Sequence, residues 1–242
     1  LELQPATTDA SAAGGGEGAM SLVNRVQTVL ESIMERIKGI NFHIDDIIQQ
    51  IVDERGPFQN VFLQECDRMN ILVREVMRSL RELNLGLSGE LQMSERMEML
   101  QNSLFFNRVP PSWEKLAYPS RRALMGWVDN LVERASQLQD WVEEPAQVPT
   151  VVFIDKLFNP QSFLTAIMQL TAQKQRLELD KLVIQTDVTR KTVDEIDSRS
   201  RDGAYISGLY LEGARMNWAA GVLEECAPRE MYFQMPVMAC KA

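Results

Sequence analysis

Apolar side chains at Phe58, Phe62, Met69, Val73, Val76, Leu80 and Leu83 hold a helical period for about seven turns, and this constrains the fold more than any other feature of the sequence. Such a run makes one face of a long helix, with Gln64, Glu65, Asp67, Arg68, Arg74 and Arg81 mostly between the apolar positions. Burying a leucine-sized side chain contributes roughly 1.5 to 3 kcal/mol, so the stripe must pack against other elements. Gly86 and Gly89 mark its end.

Partners of the same kind lie on both sides. Leu22, Val26, Val29, Leu30, Ile33, Met34 and Ile37 predict a helix from Ser21 that Gly39 ends, and Ile44, Ile47, Ile48 and Ile51 predict a shorter one stopping near Gly56-Pro57. Ser94 is placed to cap a helix running towards Phe106, and Val109-Pro110-Pro111 breaks the helical run before a turn carrying Trp113 and Tyr118. A further helix is expected from a Ser120 cap, burying Leu124, Trp127, Val128, Leu131, Ala135, Leu138 and Val142. Trp127 and Trp141 are close to four full turns apart on it, so both indoles face one core. Glu143-Glu144-Pro145 closes this helix.

Beyond residue 149 the texture changes. Residues 150–154 and 182–188 read as strands, and between them Asn159-Pro160 reads as a cap followed by proline at the first helical position. That helix carries Phe163, Leu164, Ile167, Met168 and Thr171. Residues 204–211 and 231–238 are further strand candidates, with Gly208 and Gly213 as bulges and Pro236 pointing to an edge. The polar stretch from Arg190 to Gly203 reads as an exposed loop, and residues 5–20, with Gly14-Gly15-Gly16 and Gly18, read as a flexible linker. The fold class is therefore α+β and predominantly α, with about 145 helical residues before a small α+β part.

Chemistry is sparse. A net charge of -9, with no basic cluster larger than Arg121-Arg122 or Arg190-Lys191, argues against nucleic acid as a partner. Apolar runs such as residues 151–154 fall far short of a membrane span, and no secretory signal pattern is present. Cys66, Cys226 and Cys240 are odd in number and widely spaced, which argues for reduced thiols in a cytosolic compartment and against a zinc site. No Gly-Lys pair exists, so the glycine run cannot be a Walker phosphate loop. His43, the single histidine, has no evident catalytic partners beside Asn41 and Asp45, which disfavours a small hydrolase. Asp45-Asp46, Glu143-Glu144 and Glu224-Glu225 are adjacent pairs and read as solvated charges. Met93, Met97 and Met99 could line a groove for a partner helix, as in an independent adaptor, but core packing is the preferred account of the methionines. No catalytic, metal or cofactor-binding residue is assigned.

Longer motifs carry a resemblance. The run Leu157-Phe158-Asn159-Pro160-Gln161-Ser162-Phe163-Leu164-Thr165-Ala166-Ile167-Met168-Gln169 closely resembles the C-terminal region of axonemal dynein heavy chains, the outer-arm beta class above all. Phe62-Leu63-Gln64-Glu65-Cys66-Asp67-Arg68-Met69-Asn70, Ser79-Leu80-Arg81-Glu82-Leu83-Asn84-Leu85-Gly86-Leu87, Gly203-Ala204-Tyr205 and Gly208-Leu209-Tyr210-Leu211-Glu212-Gly213-Ala214-Arg215 follow in the order of that family. Met235-Pro236-Val237 fits its near-terminal strand, and Leu3-Gln4-Pro5 with the glycine run resembles the segment before the last helices of the motor ring. Met216-Asn217 and Phe153-Ile154-Asp155-Lys156 depart from the family pattern.

The resemblance implies a flexible linker over residues 1–20, the helical lid of the sixth AAA+ module over 21–90, the helical part of the C-terminal domain over 91–149 and its α+β part over 150–242. It implies a small, incomplete antiparallel β-barrel with one packed helix, in a polypeptide that stops short of the family's final hairpin. The implied role is noncatalytic: to brace the ring of a ciliary, microtubule-based motor and pass conformational change around it. ATP and Mg would belong to earlier modules. The implied partners are the other AAA+ modules of the same heavy chain and, through the parent complex, intermediate and light chains and microtubules, in the cytoplasm, cytoskeleton and axoneme. Asn159, Pro160, Gln161, Phe163, Leu164, Gly208, Gly213 and Arg215 are its structural signature here.

Overall fold

The computed structural model describes residues 15–51, 55–217 and 220–242. Helix α1 (Gly15–Ile37) lies along α3 (Pro57–Leu87), and α2 (Ile44–Gln50) sits in the connection between them. The long stripe does what its period predicts: Phe62, Met69, Val76, Leu80 and Leu83 are fully buried, facing Val26, Leu30 and Ile33 of α1 among others. Residues 38–43 between α1 and α2 are held by α3, whose Asn70 side chain accepts from the Phe42 N–H at 2.8 Å and donates to the Phe42 carbonyl at 2.7 Å. α1 begins at Gly15, six residues ahead of the predicted Ser21, so the second half of the glycine-rich stretch is helix rather than linker. Glu17, Ala19 and Met20 are good helix formers, and extending an established helix is far easier than nucleating one. The rest of that linker, and the Leu3-Gln4-Pro5 motif, lie outside the described residues.

Helices α4 (Glu95–Phe105), α5 (Pro111–Glu114) and α6 (Leu124–Glu143) complete the helical layer. Ser94 caps α4, accepting from the Met97 N–H. Ser120 does not cap α6 as expected; its hydroxyl accepts from the Arg122 N–H instead. The orphan donors of α6 go to Asn107, whose carbonyl takes the Leu124 N–H at 3.0 Å and whose side chain takes the Met125 N–H at 3.1 Å. A residue remote in sequence thus fills the role that local pattern gives to the nearest serine. Trp127 and Trp141 both reach the core, each 1 % exposed.

The remaining residues fold around α7 (Pro160–Gln175). Strands β1 (Val151–Phe153), β2 (Gln185–Val188), β3 (Ala204–Ser207) and β8 (Met238–Lys241) form one sheet in the order β1-β3-β8-β2. β1 and β3 are parallel, pairing Val152 with Ile206, whereas β8 runs antiparallel to both its neighbours, pairing Cys240 with Ala204 and with Thr186. The parallel pair requires a long crossover, and α7 supplies its packed helix. β4 (Tyr210–Glu212) pairs with β7 (Tyr232–Gln234), and β5 (Ala214–Asn217) with β6 (Val222–Glu225), as two short antiparallel ladders. These sheets are open rather than closed into a barrel, and the four-stranded sheet is mixed rather than all antiparallel.

Several strand expectations need correction. β2 covers only the second half of 182–188, because Leu179–Lys181 forms a 3-10 turn just before it. Residues 204–211 and 231–238 each split into two strands, at Gly208 and at Pro236 respectively. Gly208 and Gly213 adopt positive φ and turn the backbone between separate strands, so neither is a bulge. The loop from Arg190 is mostly exposed, as expected, and contains one 3-10 turn, Val193–Glu195.

Gly203 precedes β3 with φ +97, and a Cβ there would fall 1.9 Å from the Cys240 carbonyl oxygen, whereas Gly89, with φ +79, has open space around it. Gly203→Ala should therefore cost more than about 3 kcal/mol and Gly89→Ala about 1 kcal/mol, since only the first adds a backbone collision to left-handed strain. Chemical denaturation of the two variants side by side checks this difference.

Candidate functional site

The connection from β1 to α7, residues 153–159, runs against the helical layer with few regular partners of its own. Ile154–Lys156 forms a 3-10 turn whose Ile154 carbonyl takes the Leu157 N–H at 3.3 Å, and several of the other backbone groups of this half-buried segment are satisfied by side chains. Three helix-borne residues do this. Gln137 of α6 accepts from the Phe153 N–H at 2.7 Å and donates to the Phe153 carbonyl at 3.1 Å. Arg134, one turn earlier, donates to the Leu157 carbonyl at 2.9 Å and to the Asp155 carbonyl at 2.5 Å, with Asn130 holding its Nε at 2.9 Å. From α3, the Glu65 carboxylate accepts from the Phe158 N–H at 2.5 Å and the Asn159 N–H at 2.9 Å. An acid takes the loop's donors from one side, and a guanidinium serves its acceptors from the other.

All three are buried: Glu65 is 2 % exposed, Arg134 7 % and Gln137 8 %. Burial raises the Glu65 carboxyl above its ordinary range, against the opposing pull of the Phe158 and Asn159 N–H groups and of Arg68 and Arg134. Burial likewise lowers Arg134, against Tyr118 and Asp155. The guanidinium lies over the Tyr118 ring, 3.4 Å from its centroid, which supplies cation–π attraction in place of water. Burial pushes the Tyr118 phenol up to about 12 and raises the Asp155 carboxyl.

Apolar packing reinforces the strap. Phe163 of α7 meets Phe58 and Trp141 at centroid separations of 5.2 and 6.4 Å, and Phe62 stacks on Trp141 at 4.6 Å. Tyr118 meets Phe158 edge-on at 5.4 Å and stacks towards Trp127 at 6.2 Å. The predicted Asn159 cap is present, its side chain accepting from the Ser162 N–H at 3.2 Å, with Pro160 opening α7.

Of the signature residues, the structure brings Asn159, Pro160 and Phe163 to this junction. Gly208 joins them from the end of β3, since a Cβ on it would overlap the Asp155 carboxylate. Gln161 is exposed and Leu164 half-buried on α7. Gly213 and Arg215 belong instead to the outer ladders, where Arg215 pairs with Glu224 at 3.6 Å and Glu230 at 3.7 Å and lies over Phe233.

Sequence reading misses Glu65, Arg134, Gln137 and Tyr118. It groups Glu65 with the solvated face, yet Glu65 lies between Phe62 and Met69 on the stripe, and Arg134 lies between Leu131 and Leu138. A charge at a stripe position is the signal that could have found both. His43 is exposed; its ring lies 3.3 Å from the Asn41 side-chain amide, and its carbonyl accepts from the Ile47 N–H at 3.0 Å. Of the methionine triplet, Met97 and Met99 line one groove with Leu100, Pro110 and Leu116, whereas Met93 does not; Met97 is buried with its sulfur on the Ser94 N–H, Met93 is half-buried and Met99 is exposed. Glu144 pairs with Arg199, and Glu224 with Arg215, so these two are ion-paired rather than simply solvated. Among the described residues, no three of His, Cys, Asp and Glu gather as a metal site would require.

These features define a predominantly helical α+β module whose most elaborate polar chemistry is spent on holding a loop to two helices. Comparison with known proteins gives the family. The protein belongs to the family of C-terminal domains of dynein heavy chains, whose model matches residues 1–242. It is 45 % identical over its whole length to the dynein beta chain of the flagellar outer arm of Chlamydomonas reinhardtii, and 46 % to dynein axonemal heavy chain 9 of Homo sapiens. The ciliary dynein beta chain of Tripneustes gratilla is 41 % identical over 90 % of the sequence. These 242 residues span about 5 % of the length of each of these relatives.

Two outcomes follow from the strap. Arg134→Met, of similar volume, removes the donors to two loop carbonyls and should destabilise by about 3 kcal/mol; Arg134→Lys should not restore it, because an ammonium cannot fork between Leu157 and Asp155. Chemical denaturation reads both. For Glu65 the folded state holds its proton more tightly than the unfolded polypeptide, whose value is 4.5. Its contribution is complete below that pH and is lost as pH rises through the raised folded value. Glu65→Gln should flatten this part of the stability profile above pH 4.5, as measured by denaturant midpoints across the pH series.

Proposed function

We propose that these residues are the noncatalytic end of an axonemal dynein heavy chain, an ATP-driven, minus-end-directed microtubule motor of cilia and flagella. In this reading they brace the AAA+ ring and relay conformational change within it. The relatives' names, which specify flagellar outer arm, axonemal and ciliary chains, support the setting in the axonemal cytoskeleton. Residues 21–90 would be the lid of the sixth AAA+ module, and residues 91–149 and 150–242 the two parts of a domain lying across one ring face. ATP and Mg would bind in earlier modules, and contacts with intermediate chains, light chains and microtubules would come through the parent complex.

The observation that carries the relay is the strap itself. Glu65 on α3 and Arg134 on α6 grip opposite backbone groups of the segment that leads into α7, so a displacement of either helix moves α7 with it. An adaptor built on Met93, Met97 and Met99 is less well supported, because only Met97 and Met99 share a groove, and Met97 is buried.

The test places Arg134→Met in the whole motor protein. Nucleotide binding by the earlier modules should persist while microtubule gliding slows roughly two-fold or more, the scale on which residues along a coupling path act. The isolated 242-residue polypeptide should show no ATP turnover. Unchanged gliding by a folded Arg134→Met motor would defeat the relay, and ATP hydrolysis by the isolated polypeptide would defeat the noncatalytic reading.

A further inference from the structure

Where the helical layer meets the sheet, a cleft of about 370 Å³ opens between the start of α3, the 146–150 connection, the last turns of α7 and the approach to β3. Among the described residues, its lining is opposite in charge to the protein as a whole. The sequence carries 34 acidic and 25 basic side chains, yet the described residues lining this cleft include Lys174, Arg199 and Arg201 and no carboxylate, the acid beside them being Glu144, which is ion-paired to Arg199. Arg199 is oriented by the Glu144 carboxylate and by the Val148 carbonyl at 2.7 Å. Lys174 and Arg201 are exposed and form no ion pair among the described residues. The cleft also has an apolar lining, to which Phe58, Leu170 and Tyr205 contribute, and one wall is the beginning of α3, whose Gly56 offers no side-chain cap.

Two cations without an ion pair among the described residues, Lys174 on α7 and Arg201 in the loop before β3, beside the Glu144-held Arg199, suit a compact oxyanion of more than one charge better than a single carboxylate. The volume and the mixed lining are those of a small-molecule site, with apolar surface for the body of a ligand and a few polar groups to orient it. We infer that this cleft binds a small phosphate monoester, its phosphate among Lys174, Arg199 and Arg201 and its apolar part towards Phe58 and Tyr205. A ligand there touches α3, α7 and the sheet at once, and so ties together the two parts of the molecule that the strap also joins. The inference does not depend on the motor reading, because binding is read on the isolated polypeptide.

The experiment is calorimetric titration of the 242-residue polypeptide, at constant ionic strength, with phenyl phosphate, inorganic phosphate and hexaglutamate peptide. Phenyl phosphate should bind saturably at one site, and inorganic phosphate should bind more weakly. Lys174→Gln and Arg201→Gln should each weaken phenyl phosphate binding about ten-fold, with unchanged unfolding midpoints because both side chains are exposed. Three results would overturn the inference: no saturable binding, equal binding by the Lys174→Gln/Arg201→Gln double variant, or tighter binding of hexaglutamate than of phenyl phosphate. Phosphate binding as tight as phenyl phosphate would remove the apolar body from the assignment and overturn it as stated.

Discussion

A loop that crosses a packed helical layer cannot leave its amides in an apolar interior, and the way this protein meets that requirement organises the whole molecule. Each unpaired buried backbone group costs about 1 to 3 kcal/mol, so a passage of roughly seven residues without side-chain partners would outweigh much of the stability of an ordinary domain. The partners are built into the helices instead. Gln137 and Asn70 each bond both backbone groups of one passing residue, Phe153 and Phe42, as a neighbouring strand would. Glu65 takes the N–H groups of Phe158 and Asn159, and Arg134 donates to the carbonyls of Asp155 and Leu157. Charged residues are costly to bury, and here the cost is offset by hydrogen bonds to both carboxylate oxygens and by the tyrosine face under the guanidinium.

Once the loop is fixed, topology follows. Holding Leu157 to Asn159 against α3 and α6 sets where α7 begins, and Phe163 then packs on Phe58 and on Trp141, which is itself stacked on Phe62. With α7 seated, the backbone can return to the sheet only by a long path, which is why β3 lies parallel to β1 and β2 is displaced to the far edge. Gly208 completes the arrangement, since only a residue without a side chain leaves room for the Asp155 carboxylate beside β3.

The helices were legible because their apolar period survives almost unbroken from Val26 to Trp141, and local signals such as Ser94, Asn159-Pro160 and Pro145 end or begin them in the expected places. What escaped reading was whatever depends on residues distant in sequence. Asn107 caps α6 from 17 and 18 positions away, using a backbone carbonyl and an amide that no local pattern reveals. Strand pairing was equally hidden, because residues 182–188 and 204–211 are short, only partly alternating, and assigned to partners by α7 rather than by their own sequence. The junction was half legible. Its Asn159-Pro160 signature stands out as a motif, while Glu65 and Arg134 look like ordinary charges until their place on the apolar stripes is counted.

That placement bears directly on how a module of this kind could transmit motion. At 31 residues α3 is about 46 Å long, and one helix carries the wall of the basic cleft at Phe58, the strap at Glu65, the anchor of the first interhelical loop at Asn70 and the packing against α1 as far as Leu83. A helix resists compression far more than a loop does, so a push at one end arrives at the other as a shift of the whole element. In the proposed relay, the strap would convert that shift into movement of α7, because its hydrogen bonds are directional and, in a dry interior, have no water to exchange with. A purely apolar contact between α3 and α7 could slide. Two carboxylate oxygens fixed on successive N–H groups cannot, and this difference gives a buried acid a mechanical use that a leucine at position 65 would lack.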